Sequence, residues 1–496
     1  MDLTRIGSDM GGEVMAGEHP VLEDASAAAS LFERLVANIA RVVQGNDEAI
    51  RLSVTCLVAG GHLLVEDVPG VGKTSLGKAL SASVSCRRRR VQFTSDLLPS
   101  DVTGVSVFDV AAVRARFGSL SSGFAFFDAP GGTQVPDEVG AAVAAAFRDA
   151  SGNLGAPYAT GRAVEAILEG AKTDAARFLG CTAAEIAFGM NMTTLNFALS
   201  RAAGRDFAAG GEILTTMLDH DGGVAPWLEL AADRGLTLRV AAATEELSVD
   251  YDDLAAKLSE RTRVVAFALA SNATGSVADA ARICRLAREA GALSWIDAVH
   301  YAAHEPIDVE ELGCDVLLCS PYKFCGPHLG IAYLRESSAE HWRPYKARPS
   351  ASRPLGRGFE TGTLPYELLA GFRATIAYLD SLGGLAPLRD YERSLGAQLL
   401  AGLPEGVVLY GPPGMAGRVP TFLVNVEGIE AGEVARALAA QQIGVWHADN
   451  WYCVALAERL PPQSLRIGLI HYNTAEEVER LCAALASLIP GGRLPV

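Results

Sequence analysis

The chain has no long apolar run. A membrane-crossing helix needs roughly 18 consecutive apolar residues, and the longest candidates here, such as Val264 to Ala270, have strand length. The opening MDLTRIGSDMGGEV carries acids early and lacks the apolar core of a secretion signal. Cysteine is sparse and unpatterned: nine in 496 residues, an odd number scattered along the chain. That is the usage of a reducing compartment, not of a disulfide framework. Cys314, Cys319 and Cys325 lie near one another, but their spacing matches no common zinc motif, and no metal is expected. Positive charge is also short. With 42 Lys and Arg against 58 Asp and Glu, the net charge is −16, a poor balance for gripping phosphate backbones over a whole surface. These absences predict a cytoplasmic chain with neither a membrane nor a nucleic acid as partner.

What is present is a large core. The chain is 49% hydrophobic and 20% charged, which excludes disorder, collagen and coiled coil as the main class. At very roughly 150 residues per domain, the length suggests about three units. No internal repeat is visible. Residues 1–30 are rich in Gly, Ala and acids and read as a flexible leader. Apolar Phe32, Leu35, Ile39 and Val42 then recur at helical spacing, and a second helix covers Glu48 to Val58.

The stretch HLLVEDVPGVGKTSLGKAL reads as strand, glycine-rich loop and helix. Backbone N–H groups of such a loop, with Gly70 and Gly72, can cradle phosphates. Lys73 can reach their terminal oxygens and Thr74 can ligate magnesium. The strict pattern wants glycine six residues before the lysine, where this chain has Asp67. A short strand, VQF, and a polar turn at Pro99–Asp101 follow. Residues 31–108 resemble the start of a MoxR-type AAA+ ATPase, through VVQGNDEAI, LLVEDVPGVGKTSLGKAL and VQFTSDLLPSDVTGVSVFD. The resemblance then stops. Hydrolysis needs an apolar strand ending in Asp-Glu, and FAFFD at 124–128 has no Glu after it. The segment reads as a truncated fragment that binds ATP weakly at most.

From Asp109 the chain alternates strands and helices, with strands at Ile213–Thr216, Leu236–Ala241, Val264–Ala270, Leu293–Ile296 and Val316–Cys319. That order predicts a mostly parallel sheet covered by helices on both faces. Within it, several residues suit pyridoxal phosphate (PLP), which needs an amine, a carboxylate for its pyridinium nitrogen, a stacking group and a phosphate cup. Lys323 follows the strand VLLCS and precedes a Gly-Pro turn, at the mouth of the sheet where ligands bind. Asp297 ends the strand LSWI, where a carboxylate calls for a cation unless it caps a helix. Lys323 lies 26 residues later, the spacing of two adjacent parallel strands. The loop Gly189–Thr194 precedes a helix read as Leu195–Arg201 and offers N–H groups and a hydroxyl to a phosphate. His220 closes another strand.

Residues 109–496 resemble the class V aminotransferase family of fold type I, specifically its cysteine desulfurase-like branch. The motifs are FFDAPGGTQVP, FGMNMTTLNFALSRA, LDHDGGVAPW, SNATGSV, WIDAVHYAAH, SPYKFCGPHLG, FETGTLPYE and LRIGLIHYNTAEEVERL, in the family's order. The resemblance implies a large, mostly parallel α/β domain at 109–365 and a smaller α/β domain at 366–496. Residues 109–129 are free to pack with the latter. It further implies Lys323 as Schiff-base lysine, Asp297 as pyridinium partner and His220 on the ring. Met192, Thr193 and Ser320 would hold the phosphate, with Asn272 near the phenolic oxygen and the substrate carboxylate. Thr363 would reach the partner subunit's phosphate in a homodimer, and Arg466 would clamp the substrate carboxylate, a two-pronged task suited to Arg.

This sequence departs from the family at three places. His300 stands where desulfurases carry Gln, beside the cofactor, and Tyr322 where they carry His before the lysine. Cys453 falls at the position of the persulfide-forming nucleophile of one desulfurase group. The Arg and Gly of that loop are missing from Ala448-Asp449-Asn450-Trp451-Tyr452, so Cys453 is either that nucleophile or a packing residue. The expected function is a PLP enzyme acting on a small amino acid by C–S cleavage through a Cα carbanion. Transamination, epimerisation and an N-terminal ATPase are the alternatives.

Overall fold

The computed structural model describes residues 25–66, 72–84, 108–347 and 351–489. Most of the leader, the loop residues 67–71 with Gly70, the strand VQF and the turn at Pro99–Asp101 lie outside the described residues. The chain divides into two compact units, Met1–Ser106 and Val107–Val496.

In the first unit, the helices Ala25–Ala40, Asp47–Val58 and Lys73–Ala82 bury one apolar cluster of Ile39, Ile50, Val54, Leu76 and Ala79. The first helix begins inside the stretch read as leader. Its apolar face, running from Phe32 to Ile39, packs on this cluster, and that supports the turns before it. Residues 61–66 form no strand. An apolar run becomes a strand only where a neighbour pairs its backbone, and no such neighbour lies among the described residues.

Among the described residues, the second unit holds thirteen strands. In chain order they are β1 (Ala125–Phe126), β2 (Ile186–Gly189), β3 (Glu212–Thr216), β4 (Thr237–Ala241), β5 (Thr262–Ala268), β6 (Leu293–Asp297), β7 (Val316–Cys319), β8 (Gly330–Leu334), β9 (Val407–Tyr410), β10 (Thr421–Val426), β11 (Ile443–Gly444), β12 (Trp446–Ala448) and β13 (Ser464–Gly468). Seven form one sheet in the order β2-β8-β7-β6-β5-β3-β4. Only β8 runs against the others. Central β5 is buried along nearly its whole length, which is why it reads as continuous Val, Ala and Phe instead of alternating. One face packs on helices carrying Leu168, Phe372 and Ile376, and the other on helices carrying Leu199 and Trp227. The helix Ala280–Glu289 joins β5 to β6. Asp279 caps it by accepting from Arg282 N at 3.0 Å, and it buries Ala280, Ile283, Cys284 and Ala287 at helical spacing.

The C-terminal part is a four-stranded antiparallel sheet, β12-β13-β10-β9. The helix Ala475–Leu488 packs against it and opens with a Thr474/Glu477 capping box. Strand β1 pairs in parallel with β11, Ala125 facing Ile443, and Ala125 and Phe127 pack in the core of this C-terminal part, whereas Val113, Phe117 and Leu120 pack in the core of the large sheet.

Candidate active site

The parallel strands end on one side of the large sheet, and their C-terminal ends deliver the site. β6 ends in Asp297 itself; β7 leads into Ser320 and a single 3-10 turn, Pro321–Lys323. β3 leads to His220, which caps the helix Asp221–Arg234 with its Nδ1 accepting from Gly222 N at 2.9 Å. β2 leads to Asn191, whose side chain accepts from Thr194 N at 2.8 Å. The helix therefore starts at Met192, three residues earlier than the sequence suggested. The Asn cap lets the first turn begin there and turns its N–H groups toward the cavity. A cavity of about 540 Å³ is lined by Met192, Thr193, His220, Asn272, Asp297, His300, Ser320, Lys323 and Arg466, nine of the residues picked out in the sequence. Gly222 permits a close approach that Gly223 does not require. A Cβ on Gly222 would lie 2.9 Å from Thr193 Oγ1, and one on Gly223 3.5 Å from Asp297 Oδ2.

The electrostatics suit acid–base chemistry. Lys323 is brought down to about 7, by burial first and then by Arg466, and its Nζ donates to Pro130 O. Asp297 is pushed up to about 6 by burial. Its one hydrogen bond from the protein comes from Val299 N, at 2.9 Å. His220 is lowered to about 4, by burial and by the charges of Lys323 and Arg466, and so is neutral at physiological pH. Burial likewise holds His300 well below its usual range, and its Nε2 pairs with Thr421 Oγ1 at 2.9 Å. Arg466 is 5% exposed. Its Nη1 donates to Asn272 O at 3.1 Å, its Nη2 to Asp128 Oδ1 at 3.0 Å, and its plane covers Trp451 at 4.5 Å.

With this geometry in hand, the comparisons with known proteins are specific. The aminotransferase class-V profile matches residues 125–481. The chain belongs to the class V aminotransferase family. A probable cysteine desulfurase 2 from Mycobacterium leprae is 32% identical over 337 residues, 64% of this chain and 80% of that one. A probable cysteine desulfurase from Pseudomonas aeruginosa is 33% identical over 318 residues, 61% of this chain and 77% of that one. Among solved structures, the apo cysteine desulfurase of Thermococcus onnurineus shares the fold with a TM-score of 0.71 at 24% identity, covering 77% of this chain and 98% of that one. An ATPase family associated with various cellular activities (AAA) matches residues 62–128, through FAFFD and past the limit of 108 expected from the sequence.

The residues present fit the family's cofactor. Asp297 is a half-buried carboxylate that accepts from Val299 N, and so has acceptor capacity left for a ring N–H. The N-terminus of Met192–Ala203 faces the same cavity, beside the Ser320 hydroxyl that accepts from Met192 N at 3.2 Å. The one amine in the lining is Lys323.

Two predicted residues stand apart from the lining. Cys453 is fully buried, and its Sγ donates to Asn272 Oδ1 at 3.1 Å. Burial, reinforced by Asp219, pushes its thiol far up, away from the thiolate a nucleophile needs. Thr363 is exposed and outside the cavity. In the first unit, Gly72 takes φ +92 immediately before the helix that opens with Lys73 and Thr74.

Sequence reasoning passed over three contributors. Asp128, inside the motif FFDAPGG, pairs with Arg466. Asp219, beside His220, accepts from Thr216 N, Thr216 Oγ1 and Ala268 N, each at 2.7 Å, which ties the end of β3 to the end of β5 and aims His220. Tyr452 stacks on His220 at 5.3 Å. Trp451 and Tyr452 both adopt left-handed backbone, φ +55 and +57, an arrangement that must be held from outside. Trp451 Nε1 donates to Ser464 Oγ at 2.9 Å, Asn272 Nδ2 to Trp451 O at 3.0 Å and Asp221 N to Tyr452 O at 2.5 Å. Only the location of Asp128 and Asp219 inside recognisable motifs could have flagged them.

Proposed function

We propose that the chain is a cytoplasmic, homodimeric, PLP-dependent enzyme that cleaves the C–S bond of cysteine or a close relative. The observation that carries this is the convergence of Lys323, Asp297, His220 and Arg466 on one cavity. When bound, the cofactor supplies an electron sink that acidifies the substrate's Cα–H and loosens a bond at Cβ. Lys323 is the attachment point. Its Nζ, when free, would take the Cα proton, a task matched to a pKa of about 7. Asp297 would hold the ring nitrogen's proton, neutral His220 would cover one face of the ring, and His300 would sit beside it. Met192, Thr193 and Ser320 would bind the phosphate, and Thr363 would reach the phosphate of the partner subunit. Arg466 and Asn272 would orient the α-carboxylate. Cys453, pinned to Asn272, acts here as packing, and it can receive sulfur only if the loop 449–454 opens. The eight described cysteines are all free, which accords with a reducing compartment; no described helix is long and apolar enough to cross a membrane. Gly72, Lys73 and Thr74 would give the N-terminal unit weak nucleotide binding at most.

The test is product analysis on the holoenzyme. Cysteine should yield either alanine, with its sulfur passed as sulfane sulfur to an added thiol acceptor, or pyruvate, ammonia and hydrogen sulfide, and Lys323→Ala should abolish both. A keto acid formed from other amino acids, with no sulfur released from cysteine, would establish transamination instead.

A further inference from the structure

Asp128 lies where β1 leaves the C-terminal part. Its backbone bridges Gly468, so it sits directly beside β13, two residues past Arg466. The turn that follows is closed by Gly131 N donating to Asp128 O at 2.9 Å. Gly131 leaves room for the carboxylate: a Cβ there would lie 2.2 Å from Asp128 Oδ2. The backbone thus delivers this carboxylate to one nitrogen, Nη2 of Arg466, at 3.0 Å.

A guanidinium binds a carboxylate with two prongs along either of two edges, Nε with Nη2 or Nη1 with Nη2. Nη2 belongs to both edges. On Arg466, Nη1 is already bonded to Asn272 O, and Nε is buried with no partner in the protein. Any two-pronged contact from a substrate must therefore use Nη2, whose two N–H groups it would share with Asp128. We propose that Asp128 is a built-in competitor at Arg466, a positioning residue that sets how tightly this site takes an α-carboxylate. The inference rests on reading Arg466 as the carboxylate clamp. The physical logic is that a buried guanidinium needs a counter-charge, and a second carboxylate arriving in the same low-dielectric pocket meets repulsion from the first. Burial pushes the Asp128 carboxyl up, while the charges of Arg466 and Lys323 and the hydrogen bond from Arg466 pull it down.

The test compares alanine with ethylamine, the same amine with and without the α-carboxylate, by calorimetric titration of the holoenzyme. Asp128→Asn keeps the shape and removes the charge. It should tighten alanine about tenfold and leave ethylamine within about twofold. Gly131→Ala, whose Cβ displaces the carboxylate, should shift the ratio the same way and carries the test if Asp128→Asn fails to load cofactor. Unchanged or weakened alanine binding in these variants would overturn the proposal and make Asp128 a brace for Arg466. Arg466→Ala separates the two layers. Selective loss of alanine binding upholds the clamp and leaves Asp128 to be judged on its own. Equal loss of alanine and ethylamine would remove the clamp and the Asp128 proposal together.

Discussion

Asp297→Asn should move stability and activity in opposite directions. In the protein without its cofactor, burial raises the Asp297 carboxyl from 3.8 to about 6. A carboxyl raised on folding costs stability wherever it is ionised. The cost is absent well below pH 4, grows as pH rises from the unfolded value to the folded one, and is complete above about pH 6. At about 1.4 kcal/mol per pKa unit, the full cost is about 3 kcal/mol, with the opposing charge of Lys323 already included in the shift. Asparagine keeps the shape and can still accept from Val299 N, as Asp297 Oδ1 does at 2.9 Å, but carries no charge to bury. The apoprotein variant should therefore be more stable than wild type at pH 7.5, by about 1–3 kcal/mol, and nearly equal to it at pH 4. In the holoenzyme, on the proposed pairing of Asp297 with the ring nitrogen, the same change would remove a charge-assisted hydrogen bond worth about 1.5–3 kcal/mol, and kcat should fall roughly 10- to 100-fold. Denaturant titrations of the apoprotein at the two pH values, with steady-state turnover of the holoenzyme, measure both. A variant no more stable at pH 7.5, or one with wild-type kcat, would refute the reasoning.

The other expectations concern the sulfur step and the extension. Cys453→Ser should retain substrate binding and lose only part of the turnover of cysteine, because the thiol is buried against Asn272; complete loss of alanine formation, with a persulfide trapped on Cys453 in wild type, would make it the nucleophile. Lys73→Ala should leave the cofactor chemistry unchanged, and ATP hydrolysis measurable in wild type but lost in that variant would show the N-terminal unit to be a working ATPase.

Much of this protein is legible in one dimension because its signals are local. Strand-end positions follow from short apolar runs bounded by polar turns, and β6 ends at Asp297 and β7 just before Ser320, as the runs LSWI and VLLCS indicate. The crossover length between Asp297 and Lys323 predicts neighbouring parallel strands, which is what β6 and β7 are. Cap chemistry was harder to read. The helix after β2 starts at Met192 because Asn191 satisfies its first turn, whereas apolar spacing alone pointed to Leu195. The apolar run at 61–66 misled for a related reason: hydrophobicity proposes a strand, but only a pairing partner makes one.

What only the tertiary structure decides is burial and pairing across long sequence distances. The motif order placed Arg466 in the site. That Asp128, 338 residues earlier, sits on its Nη2 depends on β1 docking against β11 and the bridge to Gly468. The sequence also set Cys453 on a loop at the cavity. The turn of Trp451 and Tyr452 through left-handed backbone then carries its thiol inward to Asn272. A thiol's reactivity depends on how much water and positive charge reach it, and neither is written in the residues beside it.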